Sequence, residues 1–226
     1  MVKDRYKRNI STLTVEENEK LKDCSVCVIG CGGLGGYIIE MLGRIGVGYI
    51  TAIDGDVFEE SNLNRQILSD EQSIGINKAQ KSKVRMMKIN SDVFINSVEE
   101  NINSENCRKL LKYHDLVIDA LDNINTRLIV QEACKNLNIP MIHGAIDGWY
   151  GQVTTIMPGD DTLNIIYKSK QDIDNKVGNP SFTPATIASI QVSESIKILF
   201  NKGEILRKKL LVMDLLYNDF DLINLD

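Results

Sequence analysis

The feature that most constrains this chain is a cluster of glycines between a β-rich stretch and a helical one. Nine of its 16 glycines fall between Gly30 and Gly55. Residues 25–29, immediately before the cluster, form a short apolar run that predicts a buried strand. Residues 34–45 then show helical spacing, and residues 49–53 predict a second strand. A strand, a glycine turn, a helix and a strand in this order predict two strands that pair in parallel.

The same alternation continues through the first two thirds of the chain. It predicts helices at 77–88, 104–111 and 125–137, and strands at 92–98, 116–119 and 141–143. We therefore expect an α/β fold with a Rossmann-like, doubly wound and mostly parallel sheet. The last third changes character, with a strand at 151–157, a long helix at 184–200, and strands at 210–213 and 220–223. The last two strands flank a turn, which predicts antiparallel C-terminal strands.

The length of 226 residues suits a single domain that spans 1–226. Residues 1–23 are expected to form an N-terminal helical arm. Residues 158–184 are polar, irregular and hold three of the four prolines. Unstructured connections of that length are usually functional or disordered, so we expect a mobile crossover segment before the long helix.

Charge and cysteine content narrow the class of protein. The net charge is −5, which disfavours a nucleic-acid partner. The longest uncharged stretch, residues 25–39, is too short and too rich in glycine to span a membrane. The N-terminus carries charges where a signal peptide needs an apolar core, and the number of cysteines, five, is odd. We expect a cytoplasmic protein with no membrane association.

The glycine cluster contains a nucleotide-binding pattern. Gly30, Gly32 and Gly35 fit G-x-G-x-x-G between a predicted strand and a predicted helix. Glycines allow close approach of a ligand, and the helix start offers N–H groups and a partial positive charge to a phosphate. Asp54 ends the second strand, where an acidic residue holds a ribose hydroxyl. On this pattern alone, a dinucleotide-dependent dehydrogenase is the default interpretation.

Polar residues beyond the ribose position argue for a different chemistry. Residues 54–66 form a long polar loop that contains Arg65, and Lys78 opens the next predicted helix. Asp122 and Asn123 follow a later strand and belong at the same carboxyl edge of the sheet, where ligands bind. Two cations and a carboxylate at a phosphate site indicate triphosphate chemistry. The cations would neutralise developing charge, and the carboxylate would hold Mg²⁺.

Five short motifs occur in order along the chain: RYKRNI at 5–10, GCGGLG at 30–35, SNLNRQ at 61–66, GINKA at 75–79 and DALDN at 119–123. In these motifs the chain resembles the ubiquitin-activating-type adenylyltransferases, the family that includes MoeB, ThiF and HesA. The resemblance implies that ATP and Mg²⁺ are used to adenylate the C-terminal glycine of a ubiquitin-like sulfur carrier, with release of pyrophosphate. It also implies a homodimer and a carrier that ends in Gly-Gly, in thiamine or molybdopterin-type biosynthesis.

The resemblance also implies roles for individual residues. Asn62, Arg65 and Lys78 would hold the phosphates, and Asp122 the Mg²⁺. Arg8 would reach the ATP of the other subunit, so the implied catalytic set is Arg8, Arg65, Lys78 and Asp122. The implied nucleotide-binding positions are Gly30, Gly32, Gly33, Leu34, Gly35, Asp54, Asp56, Ser61, Asn62, Asn64, Arg65, Lys78, Asp122 and Asn123.

The chain departs from the family pattern in its cysteines. Many members carry two late Cys-x-x-Cys pairs that bind zinc, whereas here every cysteine lies at or before Cys134. The position of the first pair, near residues 166–169, holds Ile-Tyr-Lys-Ser. We therefore expect no structural zinc, and an external sulfur donor that acts on the acyl-adenylate. Cys24 and Cys27 form a lone close pair in a predicted strand, for which a structural role is favoured over a redox role.

Three alternatives remain open from the sequence. The substrate could be a different carboxylate, such as the terminus of a ribosomal peptide or a small acid. The chain could be a dinucleotide-binding reductase, although this leaves Arg65, Lys78 and Asp122 unexplained together. It could also be a non-catalytic binding partner that keeps the fold, against which the intact charged residues argue.

Overall fold

The computed structural model describes residues 2–168 and 178–225. In this part of the chain, eight strands form one sheet: β1 Ser25–Ile29, β2 Tyr49–Ile53, β3 Phe94–Val98, β4 Leu116–Asp119, β5 Met141–Asp147, β6 Tyr150–Ile156, β7 Lys209–Asp214 and β8 Asp219–Asn224. Their order is β3-β2-β1-β4-β5-β6-β7-β8. The first five strands pair in parallel and the last three pair antiparallel. The predicted α/β fold, with its mostly parallel sheet and antiparallel C-terminal strands, is confirmed.

The α-helices of the described residues are α1 Val15–Lys20, α2 Gly33–Ile45, α3 Lys78–Ile89, α4 Cys107–Leu111, α5 Ile124–Leu137, α6 Thr162–Ile166 and α7 Phe182–Phe200. Helices α2, α3 and α7 contribute to a core on one face of the sheet, and α4, α5 and α6 contribute to a core on the other. Strand β1 serves both cores, because Val26 and Val28 point to the first and Cys27 and Ile29 to the second. A strand buried on both faces needs an uninterrupted apolar run, which is what the sequence contains.

Side-chain caps fix where several helices begin. Thr14 and Glu17 form a reciprocal capping box at the start of α1. Asn77 accepts a hydrogen bond from the N–H of Gln80 at 3.0 Å and caps α3. Asn123 caps α5 in the same way. Helix α2 differs, because its N-cap is Gly32 and no side chain caps it. Its first N–H groups face the edge of the sheet where β1 ends.

The polar stretch before α7 contains an element that the sequence did not predict. Helix α6, one short turn after β6, packs Leu163 into the second core. The predicted crossover segment, 158–184, is described in its first and last parts only, and residues 169–177 lie outside the described residues. Strand β5 also extends four residues beyond the predicted 141–143, because its second half pairs antiparallel with β6.

A buried carboxylate fastens α7 to the sheet. Glu194 is 1% exposed and accepts hydrogen bonds from the Thr155 hydroxyl and the Leu206 N–H, both at 2.7 Å. Lys197, one turn further along α7, donates to its other oxygen at 2.5 Å. The full set of partners compensates the desolvation of a buried charge.

Within the described residues, no helix is long and apolar enough to cross a membrane.

Candidate active site

The junction between β1 and α2 is so tightly packed that one position in the loop and one in the first turn of α2 accept only glycine. Gly30 has φ +93°, and a Cβ there would lie 2.5 Å from the carbonyl oxygen of Ala120. A Cβ on Gly35 would lie 1.7 Å from the carbonyl oxygen of Gly30. The N-terminus of α2 therefore rests directly on the end of β1. Its uncapped N–H groups and partial positive charge form an anion site at this point.

The carboxylate of Asp54 fixes the position of this loop relative to β2. It accepts the N–H of Cys31 at 2.7 Å and the N–H of Asp56 at 2.9 Å. Burial raises the pKa of Asp54, and the two N–H donors act against that rise. A carboxylate has about four lone-pair sites, so two accepted bonds leave capacity for ribose hydroxyls.

The two cations predicted to hold phosphates both line the cleft in front of the loop. Lys78 is buried, and its Nζ lies 3.2 Å from the carboxylate of Asp56. The guanidinium of Arg65 donates to the carbonyl oxygen of Ser61 at 3.1 Å and to Oδ1 of Asn64 at 2.9 Å. These contacts orient both side chains before any ligand is present.

The other residues of the predicted set occupy different positions around the cleft. Asp122 and Asn123 line it, as do Gly32, Gly33 and Leu34. Asn62 is buried and lines an adjoining smaller cavity together with Lys78. Three predicted nucleotide-binding residues, Gly35, Ser61 and Asn64, line neither cavity. The Ser61 hydroxyl faces the carboxylate of Glu59, and the Asn64 amide donates to the Asn179 carbonyl oxygen at 3.3 Å.

The cleft continues from the phosphate loop toward the hairpin of β5 and β6, with a volume of about 1180 Å³. Residues 145–147 and 150–152 line this far half. Asn179 closes one side of it, because its Oδ1 accepts the N–H of Gly148 at 2.9 Å while its carbonyl oxygen accepts the Asn64 amide. The cleft can therefore hold an elongated ligand as well as a nucleotide.

A hydrogen-bonded network lies between the two halves of the cleft. His143 is fully buried, and its Nδ1 lies 2.6 Å from Oδ2 of Asp119. The hydroxyl of Tyr167 lies 3.0 Å from Nε2 of the same ring. Arg127 donates to that hydroxyl at 3.0 Å, and so does Gln152 at 2.9 Å. Burial lowers the pKa of His143 and raises that of Tyr167. The sequence did not single out this network as a unit.

Gln66 is a second site residue that sequence reasoning missed, although it belongs to the SNLNRQ motif. Its side chain is 5% exposed and its amide packs against Gly32 at the start of α2. The amide oxygen is buried and has no hydrogen-bond partner among the described residues. Its position within the motif that also contains Arg65 was the available signal.

Arg8 is the one predicted catalytic residue that the structure does not bring to the cleft. It is exposed and lies in a 3-10 helix, Asp4–Asn9. The neighbouring Tyr6 packs against Gly46, and Asn9 donates to the carbonyl oxygen of Ile45 at 2.9 Å. These contacts place Arg8 near the C-terminal end of α2, whereas the phosphate loop is at its N-terminal end.

Cys27 and Cys31 are fully buried, and Cys24 is partly buried. Cys31 in the phosphate loop is fully buried, and desolvation raises its pKa well above the ordinary value. Cys24 and Cys27 contact opposite cores, so their side chains lie on different faces of the sheet. This geometry gives neither residue the depressed pKa that a reactive thiol requires.

Comparison with known proteins supports the family resemblance that the sequence motifs indicate. The model of the ThiF family matches residues 6–226. The SAMP-activating enzyme E1 of Haloferax volcanii is 32% identical over 227 residues, which cover 97% of this chain and 84% of that protein. MOCS3 of Dictyostelium discoideum, named an adenylyltransferase and sulfurtransferase, is 33% identical over 93% of this chain and 52% of its own length. This chain thus spans about half of that relative.

Among solved structures, Escherichia coli MccB with AMPCPP and selenomethionine MccA has a TM-score of 0.86 and 25% sequence identity to this chain. The alignment covers 98% of this chain and 71% of that one. The family match, the Haloferax relative and this likeness agree over nearly the whole chain. The chain therefore belongs to the ThiF family of adenylyltransferase-type enzymes.

Proposed function

We propose that this protein uses ATP to adenylate the C-terminal glycine carboxylate of a ubiquitin-like sulfur carrier, with release of pyrophosphate. The observation that carries the proposal is the convergence of Arg65, Lys78 and Asp122 on one cleft in front of an uncapped helix N-terminus. A relative, the SAMP-activating enzyme E1, is named for activating such a protein. The pathway, thiamine or molybdopterin-type biosynthesis, is part of the same proposal.

The donor set fits a nucleotide. Asp54 retains acceptor capacity for the ribose, and α2 offers N–H groups to the phosphates. Gln66 has a buried acceptor that no described residue contacts by a hydrogen bond. It also fits Mg²⁺, because the carboxylate of Asp122 lines the same cleft as Arg65 and Lys78. Mg²⁺ characteristically combines one or two carboxylates with substrate phosphates and water, and Asp122 supplies one carboxylate.

The chemistry requires little acid–base catalysis. A carboxylate is already ionised at neutral pH, and its oxygen forms a bond to the α-phosphorus while the bond from that phosphorus to the pyrophosphate oxygen breaks. The barrier comes largely from bringing two anions together. Arg65 and Lys78 would reduce this repulsion and stabilise the charge that spreads over the phosphates. Mg²⁺ at Asp122 would neutralise charge on the leaving pyrophosphate.

The far half of the cleft is the proposed path for the carrier's Gly-Gly tail. Tyr150 and Gln152 line it on the β6 side, and Asn179 lies on the opposite side. In this proposal the crossover segment, 158–184, covers the tail. Addition of carrier and ATP should then protect the segment from limited proteolysis, and an unchanged cleavage pattern would count against this path.

The position of Arg8 supports a shared site in a homodimer. Because Arg8 lies near the far end of α2, a role at the triphosphate requires a second copy of the chain. Subunits with Arg8→Ala and subunits with Asp122→Ala are each expected to be inactive alone. Random mixing should restore up to about a quarter of the wild-type rate, since only dimers of one subunit of each kind retain one complete site. No restoration would indicate a site built from one chain.

ATP–pyrophosphate exchange with Gly-Gly-ended carriers tests the function directly. Asp122→Ala and Arg65→Ala should abolish exchange. Arg108→Ala, in α4 and outside the cleft, is the matched control and should retain it. Exchange that survives both cleft substitutions would refute the site assignment.

The likeness to MccB favours a second candidate substrate, a peptide carboxylate, since that structure contains the peptide MccA. The same exchange assay separates the two candidates. Exchange with peptides but not with any carrier would replace the first proposal with the second.

A further inference from the structure

The short loop that carries Asp122 is held by two residues that the proposed chemistry does not use. Its Leu121 N–H donates to Oδ1 of Asp119 at 2.9 Å. Its Leu121 carbonyl oxygen accepts a hydrogen bond from Nη2 of Arg127 at 2.5 Å. Asp122 itself is exposed and lines the cleft. The position of its carboxylate therefore depends on these anchors on the preceding residue.

The other end of the Arg127 guanidinium is fixed by Tyr167. Nη1 donates to the tyrosine hydroxyl at 3.0 Å, and the Arg127 side chain is 8% exposed. Nε lies 3.5 Å from Oδ2 of Asp119 and makes no hydrogen bond to any residue that the structure describes. Since the guanidinium is rigid and planar, a shift at Nη1 moves Nη2 as well. The tyrosine hydroxyl and the Leu121 carbonyl are thus mechanically connected.

The hydrogen-bond capacity of the Tyr167 hydroxyl is fully used. Nδ1 of His143 lies beside the carboxylate of Asp119, which can only accept a hydrogen bond, so the ring donates from Nδ1. Burial lowers the pKa of His143, which favours the neutral ring with Nε2 as an acceptor. The tyrosine donates its proton to that Nε2 and accepts hydrogen bonds from Arg127 and Gln152. Nε2 of Gln152 also lies 3.2 Å from Nε2 of His143, so each of these three side chains contacts the other two and restrains their positions.

Tyr167 directly follows α6 and lines the half of the cleft that leads to the β5–β6 hairpin. We propose that Tyr167, acting through Arg127, is a positioning residue that holds the Asp122 loop in place for metal-bound nucleotide. The proposal rests on the proposed function for its catalytic consequence.

Tyr167→Phe is the direct test, because it removes the hydroxyl and keeps the ring. Hydrogen exchange of the free protein should show about tenfold faster exchange in residues 119–123, in line with the loss of one hydrogen bond to a charged group. The Mg²⁺ concentration for half-maximal pyrophosphate exchange should rise about tenfold for the same reason. ATP binding in EDTA should not change. Tyr113→Phe, 82% exposed and outside the cleft, is the matched control and should match the wild type.

A second variant separates positioning from a general loss of structure. Arg127→Lys keeps the charge beside Asp119 but has a single ammonium that cannot serve both Leu121 and Tyr167. If Tyr167 acts through Arg127, a protein with both Tyr167→Phe and Arg127→Lys should show hydrogen exchange in residues 119–123 no faster than Arg127→Lys alone. The proposal would be overturned if the effects of the two substitutions on hydrogen exchange were additive. It would also be overturned if hydrogen exchange of residues 119–123 were unchanged in Tyr167→Phe. Hydrogen exchange tests the positioning role of Tyr167 even if the wild type shows no pyrophosphate exchange. A wild type without pyrophosphate exchange would count only against the proposed function.

Discussion

The tight contact between Gly35 and Gly30 allows a quantitative prediction for a single methyl group. In Gly35→Ala the new Cβ would lie 1.7 Å from the Gly30 carbonyl oxygen, whereas carbon and oxygen normally approach to about 3.3 Å. Neither atom is at the end of a flexible side chain, so α2 and the end of β1 must separate by about 1.5 Å. Overpacking of this kind costs about 3 kcal/mol or more, and the better helix propensity of alanine offsets about 1 kcal/mol at most.

Differential scanning calorimetry and ATP titration measure the two consequences. A domain of this size loses about 2–4 °C of Tm per kcal/mol, so a net loss of 2–3 kcal/mol corresponds to about 4–12 °C. ATP binding should weaken in parallel, because the displaced helix no longer presents its N–H groups to the phosphates. Gly33→Ala is the matched control for stability, since its Cβ would come no closer than 3.6 Å to another atom. If Gly35→Ala melts within about 2 °C of the wild type, the argument from close packing is wrong.

Three further predictions follow from buried groups. Glu194→Ala leaves the Leu206 N–H without its acceptor and should lower the free energy of unfolding by about 2–4 kcal/mol. Glu194→Gln should lower it less, and thermal denaturation of the two variants measures the difference. Burial lowers the pKa of His114, so the unfolded state gains a proton that the folded state resists. The free energy of unfolding should then fall as the pH drops below about 6.5, and His114→Gln should flatten that slope. Burial raises the pKa of Cys24 to about 11 and raises the pKa of Cys31 well above its ordinary value. Neither thiol should therefore be alkylated quickly at pH 8 in the folded protein, and rapid labelling of Cys31 would contradict its burial.

Local patterns predicted the parallel half of the fold closely. Strands β1 and β2 match their predicted bounds because apolar runs between turn residues are local signals. Helix α6 was missed because one short turn in a polar stretch has no periodicity to detect. The second half of β5 contains Gly144 and Asp147, which local propensity disfavours, and it forms a strand because β6 pairs with it.

Some residues of the candidate site could likewise be placed from the sequence, and others could not. Residues that directly follow predicted strands, such as Asp54 and Asp122, could be placed at the sheet edge from the sequence alone. The contact between Arg127 and Tyr167 could not, because it joins residues on α5 and beyond α6 through a tertiary arrangement that no local pattern records. The position of Arg8 likewise depends on how the arm packs against the end of α2.

The strand order also has a consequence for how the chain reaches its folded state. Strands β5 to β8 pair with their neighbours in sequence, whereas β1 pairs with β4 only after two other strands and three α-helices have intervened. Closing such a long connection is entropically costly and slow compared with forming adjacent hairpins. The floor of the phosphate loop rests on this non-local pairing, since the Ala120 carbonyl that contacts Gly30 comes directly after β4. We therefore expect the phosphate loop to be completed late in folding, and a bound nucleotide to act mainly by slowing the unfolding of the completed structure.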